Sequence, residues 1–304
     1  RYTDPKNDEQ AWTSEKAKIW SPIDLYCGGD HAVAHLLYVR FWNHVFYEMG
    51  LVPSKEPIKK LVYHGYINAE DGTKMSKSKG NVVDPLEVIN AGYGADTLRT
   101  FELFLGPVNE DSDWNAQGIA GVYRFLNRAW TLTHEYLEAE KISGENRELA
   151  AIEHRTIKKV TDDINRLSFN TAIAALMEYV NELYKLKLEG FSDAWQQPLE
   201  HLVQLLAPFA PHISAELWGR LGHEEQLDFV GWPEWDGNLL IVDTIELPVQ
   251  INGKMRGTLQ VSPDISEEKV VELAKNDEKI APYLKDKELR KSVYIKGRII
   301  NLVI

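Results

Sequence analysis

Three lysines and two serines crowd the segment KMSKSKG, residues 74–80, and these residue types could handle phosphate. A lysine carries a compact, mobile charge that can follow phosphate oxygens as negative charge moves between them. Lys74 and Lys77 could stabilise the charge that grows at phosphorus and on departing pyrophosphate, mainly in the transition state. A solvated surface loop is the alternative for any short Lys/Ser run. The sequence lacks the Gly-x-x-x-x-Gly-Lys-Ser/Thr pattern of a P-loop.

The elements around this segment follow an α/β pattern. A short apolar strand runs into Gly28 and Gly29, and a helix follows that ends near Gly50. A second strand leads into a hairpin-type Asp-Gly turn before the lysines, and Asp84-Pro85 is a typical N-cap and first-turn pair. Glycines between a strand and a helix suit a plain turn, but they also let the backbone approach a nucleotide.

His31 and His35 are four residues apart in the predicted helix, so both lie on one helical face and can line one pocket. As a metal pair they would want a third ligand, and the sequence shows no evident one. A helix histidine with satisfied hydrogen bonds is the usual alternative.

The rest of the chain predicts two further domains. From Gly94 to about Leu221 the apolar residues follow helical spacing, with a helix pair hinged at Pro208 and Pro211, which predicts a helical bundle. A turn-rich GWPEWDG segment follows. After it, strand–turn–strand, helix and two more strands predict a small α/β domain. The expected fold class is therefore multi-domain: α/β, then all-α, then small α/β.

Composition excludes some functions. The net charge of −12 argues against a bulk electrostatic nucleic-acid binder, although residues 244–304 carry 11 Lys and Arg against 9 Asp and Glu. This slightly basic end on an acidic body permits a local RNA contact. Cys27 is the single cysteine, which suits a reducing cytoplasm. No apolar run approaches membrane-spanning length, and the absence of an initiating Met and of a signal pattern suggests a piece of a longer chain.

Three ordered motifs of this sequence resemble those of a known enzyme family. KMSKSKGNVVDP with YGADTLR, within residues 74–99, resembles the second signature of the class I aminoacyl-tRNA synthetases for leucine, isoleucine and valine. YCGGDHAVAHLLYVRFW at 26–42 is similar to the leucyl stretch, but one residue is missing after Gly29 and Asp30 replaces Glu. VQINGKMRGTL at 249–259 resembles a C-terminal signature of leucyl-tRNA synthetases, and SFNTAIAALMEYVN matches a helix of their bundle.

The resemblance implies the C-terminal portion of such an enzyme. Residues 1–93 would be the second half of a Rossmann-like catalytic domain, 94–232 a helical tRNA-binding bundle of the anticodon-binding type, and 233–304 a small α/β tRNA-binding domain. The family's reaction joins leucine to ATP as leucyl-adenylate and then transfers leucine to tRNA(Leu). ATP and Mg²⁺ are the expected cofactors, and we expect a cytoplasmic monomer that binds no membrane.

The resemblance also assigns roles to residues. Lys74 and Lys77 would be catalytic, and the leucine and adenylate pocket would include His31 and His35. The tRNA contacts would be Lys254, Arg256, Lys296 and Arg298, although these could be ordinary surface charge. ATP would contact Gly28, Gly29, Asp30, His31, Lys74, Met75, Ser76, Lys77 and Ser78.

The His-x-Gly-His signature of the first half of the catalytic fold is absent from the sequence. We therefore expect this chain alone to be inactive, with the N-terminal half of the enzyme supplied by the same chain or by a separate subunit. Three alternatives remain open: an isoleucyl- or valyl-type relative, a non-catalytic tRNA-binding module, and one subunit of a naturally split enzyme.

Overall fold

The computed structural model describes residues 2–29, 31–144, 146–240, 245–261, 265–284, 287 and 289–304. Helices and strands are both present, and the chain forms two compact units. The first unit contains residues 1–143 and 159–233, and the second contains residues 144–158 and 234–304. The domain boundaries expected from the sequence stay a prediction.

The first unit begins with an α/β segment. Strands β1 and β2 are parallel, and their register runs from Ile23 opposite Ile58 to Gly28 opposite Tyr63. A parallel pair needs a crossover connection, which helix α2 supplies. Gly50, with φ of +72°, follows the end of this helix, as predicted. The elements are α1 (Ser14–Trp20), β1 (Ile23–Gly28), α2 (His31–Glu48) and β2 (Ile58–Tyr63).

The chain then makes a second short parallel pair, β3 (Ile67–Asn68) with β4 (Ser112–Asp113). The single strand predicted from the sequence is thus divided into β2 and β3. The Asp-Gly turn forms, with Gly72 at φ of +73°, but it does not close a hairpin because β3 pairs in parallel with β4.

Three consecutive helical segments follow the lysines. They are α3 (Pro85–Val88), a π-helical segment (Ile89–Tyr93) and α4 (Gly94–Phe104). Asp84 caps α3 as predicted, because its carboxylate accepts the Leu86 amide at 2.9 Å.

The helices predicted for this part of the chain are present. On α7 (Phe169–Leu186), the predicted apolar positions Ile173, Leu176 and Val180 are fully buried. Met177 is half-buried and packs against the core cluster that includes Phe101 and Trp114. Pro211 lies in the first turn of α9, so α8 and α9 are separated at the predicted proline hinge. The helices are α5 (Ile119–Glu138), α6 (Arg147–Asn165), α7 (Phe169–Leu186), α8 (Gln196–Leu206) and α9 (Pro211–Arg220), with 3₁₀ turns at Lys187–Glu189, Asp193–Trp195 and Leu227–Phe229.

Asp96 of α4 connects the α/β segment to these helices. Its carboxylate accepts the backbone amides of His212 (3.3 Å) and Ile213 (2.7 Å) at the start of α9, and the His212 ring nitrogen Nδ1 lies 2.6 Å from it. The amino end of a helix carries unpaired amides and positive partial charge, so a carboxylate from another helix is a stabilising partner there.

The second unit contains a four-stranded sheet in the order β6–β5–β8–β7. The central pair β5–β8 is parallel and the outer pairs are antiparallel. Val270 and Ala274 of helix α10 join the buried side chains of the sheet in one core. The elements are β5 (Ile245–Ile251), β6 (Lys254–Val261), α10 (Glu267–Asn276), α11 (Ala281–Leu284), β7 (Lys291–Ile295) and β8 (Ile299–Val303). Across the described residues, no helix has the length and apolar content to cross a membrane.

Candidate functional site

The lysines lie on a compact turn that we call the lysine loop, residues 71–81. Its Lys79 and Gly80 amides bond back to the Ser76 carbonyl at 3.1 and 3.2 Å, and Gly80 takes a φ of +69°. Asn81 closes the loop: its side-chain oxygen accepts the Ser76 amide at 2.9 Å, and its amide group donates to the Thr73 hydroxyl at 3.0 Å. The loop is therefore held by its own backbone and one asparagine.

Hydrophobic packing anchors one end of this loop. Met75 is half-buried against a core cluster that includes Phe101 and Trp114, whose rings meet edge-to-face at 5.2 Å. Lys77 and Ser78 are exposed at the tip. Among the described residues their backbone amides have no acceptor, so a tip with two free donors and one ammonium group is open to an anion.

The glycine turn, Gly28–Gly29, lies at the carboxyl end of β1, and both residues are buried. A Cβ atom on Gly29 would lie 3.2 Å from the Tyr66 hydroxyl and 3.3 Å from the His64 carbonyl, so a larger residue would be crowded. In open parallel sheets, ligands bind beyond the carboxyl ends of the strands, and the glycine turn occupies that edge.

Tyr66 brings the glycine turn and the lysine loop together. The ring that lies against Gly29 also carries the Lys74 ammonium group over its face, 4.3 Å from the ring centroid. Sequence reasoning missed both Tyr66 and Asn81. Tyr66 could have been found from its position just after β2, beside the strand ends that the topology makes neighbours, whereas Asn81 acts through a local turn with no distinctive sequence signal.

Hydrogen bonds favour the charged form of the carboxylate at the start of the loop. Hydrogen bonds from the backbone and the side chain of Thr73 lower the pKa of Asp71, and the positive charge of Lys79 adds to this effect. A carboxylate at the start of the loop therefore stays charged and orders Thr73, while Lys77 at the tip stays outside that network.

The predicted histidine pair is only partly described. Asp30 and the side chain of His31 lie outside the described residues. The His35 ring stacks on Tyr26, with centroids 5.1 Å apart, and it lines a mainly apolar cavity of about 490 Å³. Aromatic residues of α1 and α2 form much of its wall, among them Trp20, Tyr38 and Trp42.

The four basic residues predicted to contact tRNA are exposed in the second unit, Lys254 and Arg256 at the start of β6 and Lys296 and Arg298 in the β7–β8 turn. Lys254 follows the β5–β6 turn, and Lys296 and Arg298 flank Gly297 in the β7–β8 turn. Because β8 runs parallel to β5, these turns lie at opposite ends of the sheet, separated by the seven residues of β5, roughly 20 Å. Arg256 also stacks on the Tyr283 ring at 4.4 Å.

Among the described residues, no group of three or more His, Cys, Asp or Glu side chains could hold a metal ion. The geometry supports chemistry by ammonium groups and backbone amides. These groups can bind and stabilise an anion that extends from the glycine turn towards the lysine loop, as a phosphorylated nucleotide would.

Two family models match the chain. Residues 10–115 match the tRNA synthetases class I (I, L, M and V), and residues 146–272 match the anticodon-binding domain of tRNA ligase. Together they include the glycine turn, the lysine loop and most of the helices.

Curated relatives match over the whole chain. It is 46% identical to a leucine–tRNA ligase of Herpetosiphon aurantiacus and 44% identical to one of Leptospira biflexa, and each match includes 100% of this chain. The chain spans only 38% and 35% of the length of these relatives.

Solved structures of tRNA synthetases also match the chain. The ternary complex of Agrobacterium radiobacter K84 agnB2 LeuRS with tRNA and LeuAMS matches 100% of this chain and 41% of that protein, with a TM-score of 0.74 and 35% identity. A methionyl-tRNA synthetase of Mycobacterium tuberculosis bound by methionyl-adenylate matches 69% of the chain at a TM-score of 0.53 and 20% identity, which shows a shared fold.

The fold, the lysine loop and these matches define a class I tRNA synthetase, with segments of the catalytic and anticodon-binding domains. Within that class, the curated matches that extend over the whole chain are to leucine–tRNA ligases. The resemblance to the leucyl type that the sequence motifs carry agrees with these matches.

Proposed function

We propose that the whole protein to which this chain belongs is a leucine–tRNA ligase, which activates leucine with ATP and transfers it to tRNA(Leu). The observation that carries this proposal is the placement of the lysine loop beside the glycine turn through Tyr66. The agnB2 LeuRS complex, which contains tRNA and LeuAMS, supports it because its fold matches this entire chain.

The site residues then have definite roles. When the leucine carboxylate attacks the α-phosphate of ATP, negative charge grows at phosphorus and on pyrophosphate. Lys74 and Lys77 stabilise that charge, and the Ser76 and Ser78 hydroxyls add hydrogen bonds. Gly28 and Gly29 let the nucleotide approach the backbone, with Asp30 as an acceptor for a ribose hydroxyl and Met75 anchoring the loop. His31 and His35 line the leucine and adenylate pocket.

Mg²⁺ fits this proposal as a companion of the ATP phosphates. Since the described residues show no three-ligand cluster, the ion would be held largely by phosphate oxygens, a common arrangement for nucleotide-bound magnesium. It would neutralise phosphate charge together with the lysines.

We propose that residues 1–93 form the second half of a Rossmann-like catalytic domain and that its N-terminal half lies elsewhere in the protein or in a separate subunit. Parallel sheets are normally covered on both faces. Here β1 and β2 form a two-stranded parallel sheet, and Leu37, Tyr38 and Phe41 of α2 are 60–65% exposed. Such a face needs a covering partner, and the other half of the same catalytic domain would supply it.

The remaining domains are proposed to bind tRNA. Residues 94–232 would form a helical bundle of the anticodon-binding type, and residues 233–304 a small α/β domain. The match to the anticodon-binding domain model supports the first assignment. In the second, the exposed basic turns with Lys254, Arg256, Lys296 and Arg298 would contact the RNA backbone. We propose a cytoplasmic monomer.

The test is the activity of the whole protein. Leucine-dependent exchange of pyrophosphate into ATP, followed by leucylation of tRNA(Leu), is the expected result. Isoleucine and valine serve as competing substrates in the same assays. A protein that binds tRNA but shows no leucine-dependent exchange would instead be a tRNA-binding module, and preferential exchange with isoleucine or valine would contradict the leucine assignment.

A further inference from the structure

The backbone of Tyr66 is held on both sides. Its amide donates to the Asp111 carboxylate at 2.7 Å, and its carbonyl accepts the Ser112 amide at 2.9 Å. At the preceding position, a Cβ atom on Gly65 would lie only 2.1 Å from the Glu110 carbonyl oxygen, so this backbone cannot shift without rearranging that segment. The place from which the Tyr66 ring projects is therefore well defined.

Besides an edge-to-face contact with the His64 ring, with centroids 6.4 Å apart, the half-buried Tyr66 ring makes two contacts of different kinds. Its hydroxyl end lies against Gly29, and its face lies below the Lys74 ammonium group. A ring that served packing alone would be covered by apolar side chains, whereas this one carries a cation on its face. Lys74 is exposed and could extend into water, so its position over the ring reflects attraction to the aromatic face.

The carbonyl of Lys74 is also held, since the Asn81 side chain lies 3.4 Å from it. Both ends of the lysine are thus restrained, the backbone by Asn81 and the ammonium group by Tyr66. A lysine side chain has many rotamers, and holding it near its target removes part of the entropy loss that the reaction would otherwise incur. Cation–π attraction is weaker than attraction to phosphate, so the ring can release the lysine to a nucleotide.

We propose that Tyr66 is a positioning residue that holds the Lys74 ammonium group beside the glycine turn. When the nucleotide binds, its phosphates take the ammonium group from the ring. This inference rests on the proposed leucine activation for its catalytic consequence, but the contact itself can be tested without activity. Two experiments separate the contact from its catalytic effect.

The first test measures the contact in this chain by NMR with ¹³C-labelled lysine, with the Lys74 resonance assigned by a Lys74→Arg variant. The Lys74 ε-methylene protons should be shifted upfield by the ring, and inorganic pyrophosphate should reverse the shift. Tyr66→Phe should keep the shift, and Tyr66→Leu should abolish it. Tyr184→Leu, which removes a ring that also carries a cation at 3.9 Å, should leave it unchanged. An unshifted Lys74 resonance in the wild-type chain would overturn the proposal.

The second test uses the whole protein and a double-mutant cycle. Tyr66→Leu should slow leucine-dependent pyrophosphate exchange roughly two- to fivefold, the range expected for an exposed cation–π contact, with the KM for leucine unchanged. Tyr66→Phe should restore the rate. In a Lys74→Ala background, Tyr66→Leu should have no further effect. An equal loss in both backgrounds would show that Tyr66 has a structural role only.

Failure of the proposed function and failure of the positioning role would give different results in these two tests. If the wild-type whole protein shows no leucine-dependent exchange, the proposed function is wrong, and the NMR result alone decides whether Tyr66 holds Lys74. If exchange is present and Tyr66→Leu matches the wild type, the positioning role is wrong and the proposed function stands.

Discussion

At the scale of residues, the site separates a restrained lysine from a free one. Lys74 is held over Tyr66, while Lys77 stands at the exposed tip beside backbone amides that have no acceptor among the described residues. An unrestrained ammonium group can follow charge as it moves to the leaving pyrophosphate. Both lysines are proposed to stabilise transition-state charge, Lys74 from a restrained position and Lys77 by following the charge to the leaving pyrophosphate.

Lys77→Ala in the whole protein should lower the rate of leucyl-adenylate formation by roughly 10²–10³-fold, as loss of other electrostatic stabilisers does. Leucine affinity should barely change because the proposed contact of Lys77 is with phosphate and not with leucine. Pre-steady-state adenylate formation and equilibrium leucine binding measure the two quantities. Lys185→Ala, which removes a surface lysine paired with Glu182 on α7, is the matched control. A Lys77→Ala protein with normal rate and weakened leucine binding would assign the loop another task.

Asn81→Ala should loosen the lysine loop without unfolding the chain, because Asn81 joins Ser76, Thr73 and Lys74 within the loop and is only partly buried. Trypsin cleaves after lysine, so limited proteolysis of this chain should become faster within residues 74–80. Asn127→Ala, which removes one bond to the Tyr123 carbonyl within α5, should leave that cleavage rate unchanged. Equal cleavage rates in wild type and Asn81→Ala would show that the backbone turn alone orders the loop.

At the scale of elements, much of the architecture could be predicted because local signals agree with the fold. Asp84-Pro85 starts α3, Gly50 follows α2, and the prolines at 208 and 211 separate α8 from α9, each through backbone chemistry confined to a few residues. The hairpin expected at the Asp-Gly turn was wrong because strand pairing is not local. β3 finds its partner β4 more than forty residues later, which no turn signal can encode.

Non-local contacts also explain why part of the candidate site could not be predicted from the sequence. The lysines and glycines were predicted from residue type and spacing, and in the structure Tyr66 contacts both Gly29 and Lys74. Tyr66 was missed because its role depends on contacts with Gly29 and Lys74, on different elements. The two basic turns were predicted without their relative positions, because these depend on the parallel β5–β8 pair, which places them at opposite ends of the sheet.

An ion-paired carboxylate joins the end of α6 to the start of α7. Asp163 is only 2% exposed and bonds to Lys159 and, at 2.8 Å, to Arg166. Burial alone would raise its pKa, but hydrogen bonds from Lys159, Thr171 and Arg166 outweigh burial and hold the pKa of Asp163 below its usual 3.8. Since the folded-state pKa is depressed, the carboxylate stabilises the fold above the unfolded-state pKa, and this contribution disappears as pH falls through the folded-state value.

Asp163→Asn should therefore lower the free energy of unfolding at pH 7 by roughly 1–3 kcal/mol, the range for hydrogen bonds to charged groups. The difference between variant and wild type should shrink as pH falls below 3.8, where the wild-type carboxylate also becomes protonated. Urea unfolding at several pH values measures both effects. Glu182→Gln, which breaks an exposed ion pair with Lys185, should be nearly neutral throughout. A pH-independent difference would show that Asp163 acts through packing.

At the scale of the whole molecule, the chain holds one part of a proposed catalytic site. The two-stranded parallel sheet and the exposed apolar side chains of α2 leave a face that a complete catalytic domain would cover. The His-x-Gly-His signature expected on the other half is absent from these 304 residues. The lysine loop can therefore bind an anion in this chain, but it can promote the proposed leucine activation only when the other half holds the nucleotide against it.

The chain by itself should give no leucine-dependent pyrophosphate exchange, because the other half of the proposed nucleotide site is missing. The whole protein, assayed at the same concentration, is the positive control. Circular dichroism of the isolated chain should show helical structure, so that inactivity is not confused with unfolding. Clear exchange by the folded, purified chain would contradict the half-site interpretation.

The two basic turns of the second unit should contribute separately to tRNA binding by the whole protein. They lie at opposite ends of β5, roughly 20 Å apart, so one phosphate group cannot reach both. We expect two double alanine substitutions, one at Lys254 and Arg256 and one at Lys296 and Arg298, each to weaken tRNA binding. Each should also reduce the slope of log affinity against log salt by roughly one for each phosphate that is no longer neutralised. Leucyl-adenylate formation should stay near normal because it needs no tRNA.

Lys269→Ala with Lys275→Ala is the matched control, since it removes two exposed charges from α10 in the same unit. Filter binding across a salt series measures the slopes, and deletion of residues 244–304 gives the upper limit of the effect. If the control pair reduces the slope as much as either turn pair, the unit acts through its general charge. If neither turn pair changes it, the small α/β unit contacts RNA through other groups or serves the fold alone. A reduction by one turn pair only would identify the end of the sheet that faces the RNA.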